Sequence, residues 1–154
     1  MLHVVLYQPE IPPNTGNIMR LCANTCTRLS LIAPLGFDLD DKKLRRAGLD
    51  YREFTEVKVF DSLDEFSTKV MPSKLFAFST HGKMRHSDAR FSKGNALLFG
   101  PETRGLPELI LTETGIKRTL RIPMGNDSRS INLSNSVAIA LFEALRQLNY
   151  PYLA

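Results

Sequence analysis

The chain has 154 residues, 43% hydrophobic and 23% charged, which fits one globular domain of radius about 15 Å and excludes global disorder and fibrous repeats. Its formal charge is +4, and the excess lies wholly in the second half: residues 1–77 carry ten basic and ten acidic side chains, residues 78–154 ten and six, a bias compatible with an anionic partner. No apolar run approaches the roughly 20 residues of a membrane-spanning helix, and Met1–Tyr7 has neither a basic leader nor a small-residue cleavage site, so a cytoplasmic chain with no membrane span is expected.

In chain order the pattern alternates strand and helix. Val4–Tyr7 is a short strand ending in the loop of Pro9, Pro12 and Pro13. A helix follows over about Thr15–Thr25, with Ile18, Leu21, Cys22 and Thr25 on its apolar face. Cys22 and Cys26 have no nearby His or second Cys pair, so they are expected to be buried thiols and no metal is expected. Leu29–Ala33 reads as a strand, Asp40–Ala47 as a short helix closed by Gly48. Val57–Phe60 (strand), Leu63–Val70 (helix), Leu75–Phe78 and Ala96–Phe99 (strands) follow, with residues 79–95 lacking any periodicity. Leu106–Leu111 is a short helix, Thr119–Ile122 a last strand and Leu133–Asn149 a long final helix. Short apolar strands alternating with helices predict an α/β fold, a mainly parallel sheet flanked by helices, in one domain over residues 1–154.

In such folds ligands bind beyond the carboxyl ends of the strands. Three candidate loops sit there: Ser79–Gly82, Gly100–Gly105, and Pro123–Met124 running on to Ser128–Asn132. Gly105 is followed by Leu106 where a Walker loop needs Lys, no G-x-G-x-x-G follows the first strand, and no G-x-S-x-G occurs. Triphosphatase, conventional dinucleotide and hydrolase readings are therefore disfavoured. The loops offer backbone groups suited to the edges of an adenine and a ribose, or they simply turn the chain.

On the first helix, Asn17, Arg20 and Asn24 share a polar face with Asn14 at its start. Amides beside one Arg suit a sugar-phosphate backbone, and a solvated face would look the same. Lys42, Lys43, Arg45 and Arg46 follow acidic Asp38, Asp40 and Asp41, which complements a helix dipole as readily as it contacts RNA. The final helix carries Val137, Leu141, Ala144, Leu145 and Leu148 on one stripe, with Ile139, Ala140 and Phe142 as surplus apolar surface that suggests a second packing face.

Three segments carry a resemblance. Asn14–Arg20, Leu97–Pro107 and Ile122–Ser134 (through Ser128-Arg129-Ser130-Ile131-Asn132) resemble the three motifs of SpoU-type SPOUT RNA methyltransferases, and Arg45–Tyr51 extends the similarity. It is nearest to the minimal YibK/TrmL group, tRNA wobble-position cytidine/uridine 2′-O-methyltransferases. The resemblance implies a deep C-terminal trefoil knot, a rare exception to unknotted connections. It implies S-adenosyl-L-methionine bound in that knot by Phe78, Gly100, Ile122, Ser130 and Leu133. It also implies a homodimer through the first and last helices, acting on the tRNA anticodon stem-loop, with leucine tRNAs as substrates.

By the same analogy Arg20, Asn14, Glu102, Ser130 and Asn132 are the catalytic residues, and Asn17, Arg20, Arg45, Arg46 and Arg129 bind RNA. A free guanidinium is a poor base near neutrality, so Arg20 is expected to hold the adjacent phosphate and stabilise the developing alkoxide. Glu102 has the alternative role of a polar loop staple. Gln8 stands where many members have Glu, and Phe142 where Tyr is common. A relative methylating another tRNA or rRNA ribose, or a catalytically idle knotted protein binding RNA or adenosyl ligands, remains an alternative.

Overall fold

The computed structural model describes residues 1–39 and 57–154. The expected helix at Asp40–Ala47, its Gly48 cap and the basic residues Lys42–Arg46 lie outside the described residues. The elements are β1 (His3–Tyr7), α1 (Pro12–Asn24), β2 (Arg28–Ile32), β3 (Val57–Phe60), α2 (Leu63–Val70), β4 (Lys74–Phe78), β5 (Met84–Arg85), β6 (Asn95–Phe99), α3 (Glu108–Thr114), β7 (Thr119–Arg121) and α4 (Leu133–Gln147). A 3-10 turn covers His86–Asp88.

The seven strands form one sheet in the order β3-β2-β1-β6-β4-β7-β5, and every pairing is parallel. Both faces are buried, as continuous rather than alternating apolar strands require. On β1, Val4 and Leu6 pack with Ile18 and Met19 of α1 and Val137 and Leu141 of α4. Val5 points the other way, into a cluster with Phe66 of α2 and Ile110 of α3.

Two element boundaries and one additional strand differ from the sequence pattern for identifiable reasons. The first helix begins at Pro12, three residues before Thr15, because Pro12 and Pro13 occupy the first helical positions, where a missing N–H costs nothing. The short helix starts at Glu108 instead of Leu106. Pro107 is its extended cap residue and disfavours helix at Leu106. The stretch 79–95 contains β5, a two-residue edge strand too short to show periodicity. Ser62 caps α2 by accepting the Glu65 amide at 3.0 Å, while Glu65 accepts the Asp61 amide at 2.7 Å.

Cys22 is buried, which pushes its thiol up to about 12 and leaves it neutral. Cys26, expected to be buried, is exposed: α1 ends at Asn24, and Cys26 turns out of the helix at a φ of 50°.

His3 is a second buried polar group. It is 2.7 Å from the Ser30 hydroxyl and meets Phe66 edge-on. Burial first, then the charges of Arg28 and Lys58, hold its pKa down at about 4 against an ordinary 6.5. The unfolded chain therefore binds this proton first as the pH drops. His3's contribution is complete above 6.5 and is lost as the pH falls to 4, an expected loss of about 3 kcal/mol. Urea unfolding at pH 7 and pH 4.5 checks this, and a His3→Gln variant with an unchanged acid slope would assign the effect elsewhere.

Candidate active site

The carboxyl ends of β1, β4, β6 and β7 open on a cavity of about 530 Å³. All five residues expected to hold the cofactor, Phe78, Gly100, Ile122, Ser130 and Leu133, line it, as do Asn14, Glu102, Arg129 and Asn132. The volume lies in the ~300–1,000 Å³ range of small-molecule sites. The Phe78 ring stacks on Phe99 at 4.6 Å, giving the cavity a rigid aromatic wall. A larger depression of about 720 Å³ runs between α3 and His81–Lys83, but none of the expected catalytic or cofactor residues line it. Convergence of chemistry outweighs size here.

A chain of hydrogen bonds ties the three candidate segments together. The Glu102 carboxylate accepts the amides of Glu10 (2.8 Å) and Ile11 (3.1 Å) and the side-chain N–H of Asn14 (3.2 Å). Asn14 Oδ1 accepts from Asn132 Nδ2 at 3.0 Å. Asn132 Oδ1 then caps α4, accepting the Ser134 amide at 2.9 Å and its hydroxyl at 2.7 Å. Each link fixes the orientation of the next amide.

The local sequence explains why Glu102 is needed. Ile11, the residue before α1, has no side chain able to cap, and Pro12 and Pro13 have no N–H to offer. The donors at the start of α1 are therefore those of Glu10 and Ile11, and a carboxylate from a distant loop takes them. With three donors bound, the Glu102 carboxylate ties its loop to the start of α1.

Glycine is required at Gly100 by close approach. A Cβ there would lie 2.4 Å from the Leu106 nitrogen and 2.5 Å from the Gly105 carbonyl carbon. At Gly82 it would lie 2.6 Å from the backbone of Leu120. These contacts hold the loops against each other as backbone on backbone.

Asn17 and Arg20 are exposed on α1 and do not line this cavity, so the structure separates them from Asn14, which is buried. Arg45 and Arg46 lie outside the described residues. Sequence reasoning missed Glu10, Thr103 and Arg104, which brace the same loops: the Thr103 hydroxyl is 2.9 Å from both Glu10 carboxylate oxygens, and Arg104 donates to the Gln8 amide oxygen at 2.8 Å. Their signal was position alone, beyond the ends of β1 and β6.

On α4, Val137, Leu141, Ala144 and Leu145 are buried as expected, and Ala140 joins them. Ile139 and Phe142 remain 40% and 45% exposed. Among the described residues, no group of His, Cys, Asp and Glu could hold a metal ion, and no helix is long and apolar enough to cross a membrane.

The SpoU rRNA methylase family matches residues 1–142. The chain is 57% identical over 150 residues to a tRNA (cytidine(34)-2′-O)-methyltransferase of Aeromonas hydrophila, covering 97% of this chain and 96% of that one. It is 56% identical to the enzyme of the same name from Escherichia coli K12, with 98% and 96% covered. Among solved structures, an RNA methyltransferase from Bacillus anthracis superposes with a TM-score of 0.90 at 49% identity, covering 99% of this chain and 98% of that one. The S-adenosylmethionine complex of the SpoU methyltransferase AviRb from Streptomyces viridochromogenes superposes at 0.82 with 26% identity, covering 97% of this chain and 58% of that one.

Proposed function

The chain belongs to the SpoU rRNA methylase family, and on that premise we propose that it transfers a methyl group from S-adenosyl-L-methionine to the ribose 2′-hydroxyl of the wobble nucleotide of tRNA. The observation that carries this reading is the meeting of Asn14, Glu102 and Asn132, three distant segments, at one cavity joined by hydrogen bonds. The names and near-complete coverage of the relatives support the nucleotide.

The cavity fits the methyl donor. Phe78, Ile122 and Leu133 supply apolar walls for an adenine, and the Gly100–Gly105 loop that lines the same cavity is closed so tightly on itself that Gly100 has no room for a side chain. Bound there, the donor supplies a methyl group on a sulfonium, already activated for transfer to an oxygen nucleophile. Ser130 and Asn132, on the cavity wall, orient the ribose, and the remaining task of the protein is chiefly alignment. Arg20 supplies charge to the phosphate and to the oxygen as its proton leaves for phosphate or water. Asn17 and Arg129 add contacts to the RNA backbone.

Arg20 stands on the exposed side of α1 and does not line this chain's own cavity, which fits its supply to the cavity of a second subunit, as the family resemblance implies. The chain is accordingly a homodimer through α1 and α4, with exposed Ile139 and Phe142 supporting that face. Two copies carry twice the +4 charge toward an anticodon stem-loop. The order β4-β7-β5 supports the trefoil knot: β4 and β5 are joined by residues 79–83, yet β7 lies between them, with Gly82 pressed on Leu120. The enzyme works in the cytoplasm, where its tRNA is.

The test is incubation with methyl-labelled S-adenosylmethionine and tRNA from cells lacking this modification, followed by mass mapping of the labelled ribose. Label at the wobble nucleotide is expected. Label at another ribose would move the site, and no label in any tRNA would leave a binding protein.

A further inference from the structure

The positive charge of the second half of the chain gathers at one edge of the sheet. Of the ten basic side chains in residues 78–154, five are Lys83, Arg85, Lys117, Arg118 and Arg121. All five lie on β5, on β7 or in the residues leading into them, and all are exposed. Lys83, Lys117 and Arg118 line the depression of about 720 Å³ beside α3, whose one carboxylate is Glu108. Arg85 and Arg121 are register partners on the two outermost strands at this edge. Leu120 packs toward α1 and α4, so its neighbours Thr119 and Arg121 turn to the α3 side, where Thr119 lines the depression. Arg85, in register with Arg121, turns the same way.

The backbone beneath these cations is fixed. Gly115 ends α3 at a φ of 82°, and its carbonyl accepts the amides of Arg118 and Thr119, each at 3.0 Å. The Arg118 carbonyl in turn accepts the Ala77 amide at 2.9 Å, which anchors the loop to β4. On the other wall Gly82 donates to the Ser79 carbonyl at 3.1 Å.

Like charges opposite one another on adjacent strands repel, and among the described residues none of the five is in an ion pair. Protection of the edge against pairing with another strand explains charge on β5. It does not explain Lys117, Arg118 and Arg121, which precede or lie on an inner strand. An anionic partner accounts for all five. Their exposure suits the solvated, repeated phosphates of a polymer better than one small anion. His81 lines both this depression and the cofactor cavity, so one RNA chain can run across the two. No Phe, Tyr, Trp, Asn or Gln lines the depression, which leaves the backbone of that chain, and not its bases, as what is held. Leu111 and Ile116 add apolar surface for ribose carbons.

Resting on the methyltransferase reading above, we propose that Lys83, Arg85, Lys117, Arg118 and Arg121 form a docking surface for the sugar-phosphate backbone of the tRNA beyond the methylated nucleotide. Such contacts position the RNA and carry no sequence information, so they act on tRNA affinity and leave the chemical step alone.

The test is titration of end-labelled tRNA, read by fluorescence anisotropy at several KCl concentrations, beside methylation kinetics. Lys83→Ala/Lys117→Ala/Arg118→Ala should weaken tRNA binding about tenfold or more and reduce the slope of log Kd against log salt by about 2 to 3. The kcat at saturating tRNA and the affinity for S-adenosylmethionine should stay within about twofold of wild type. Lys83→Arg/Lys117→Arg keeps the charge and should keep the slope. Glu108→Gln removes the one carboxylate and should tighten tRNA binding about twofold, a gain that impaired folding cannot mimic. Unchanged affinity and slope in the triple variant, with active wild type, would overturn this surface, assign the cations to an anion other than RNA and leave the methyltransferase reading intact. A fall in kcat at unchanged tRNA affinity would overturn it as well. Wild-type protein that binds no tRNA overturns both.

Discussion

Arg20→Ala lowers tRNA methylation by about 10²- to 10³-fold while the affinity for S-adenosylmethionine stays unchanged, because the residue stands away from the cavity that holds the cofactor residues. The loss falls mainly on kcat, since charge on the attacking oxygen develops only in the transition state. Arg20→Lys retains the charge and loses the planar fork. Activity close to wild type in that variant would show that a point charge suffices. On the proposed arrangement, with Arg20 acting across a dimer, mixing Arg20→Ala subunits with Gly100→Ala subunits should restore about a quarter of wild-type activity, the share of intact sites in randomly assembled dimers. Mixtures as inactive as either parent would return Arg20 to its own subunit.

The second large effect is at Gly100. Alanine there meets the backbone of Leu106 and Gly105 at 2.4 and 2.5 Å, and backbone cannot step aside as a flexible side chain would. The loop must reopen, displacing Glu102 and with it the bonds to Glu10, Ile11 and Asn14. Affinity for S-adenosylmethionine should fall about 100-fold or more, measured by titration calorimetry, with the far-ultraviolet circular dichroism of the sheet retained. Gly105→Ala is the informative contrast. Gly105 has a φ of 68° with nothing within 4 Å of the added Cβ, so that substitution carries only the backbone strain of about 1–2 kcal/mol. Equal losses at the two positions would mean that flexibility of the loop, and not close approach at Gly100, governs binding.

The comparison of Asn14 with Arg20 shows where sequence reasoning stops. Spacing puts Arg20 on a polar face with Asn17 and Asn24 and leaves Asn14 at the helix start, and the motif resemblance makes both Asn14 and Arg20 catalytic. In the fold, Asn14 turns inward and joins Glu102 and Asn132, while Arg20 lies on the outer side of the same helix. Spacing along a helix gives relative angle, but which side meets a cavity depends on what packs against it. Glu102 teaches the converse. A carboxylate in a glycine-bounded loop suggests a catalytic residue or a polar staple, and its bonds are seen only with the positions of Glu10 and Ile11, some ninety residues earlier in the chain.

What the sequence determined by itself is the local and periodic part. Apolar runs without alternation required strands buried on both faces, the prolines and glycines marked the ends of elements, and three linear motifs identified the family. Each depends on near neighbours in the chain, which sequence order preserves. The tertiary structure alone decided the rest: the insertion of β7 between β4 and β5, the carboxylate of Glu102 capping a helix whose own residues cannot, and the gathering of Lys83, Lys117 and Arg118 beside α3. These depend on contacts between residues far apart in sequence, whose free energy is settled only when the whole sheet has closed and the loops at its carboxyl edge have nowhere else to go.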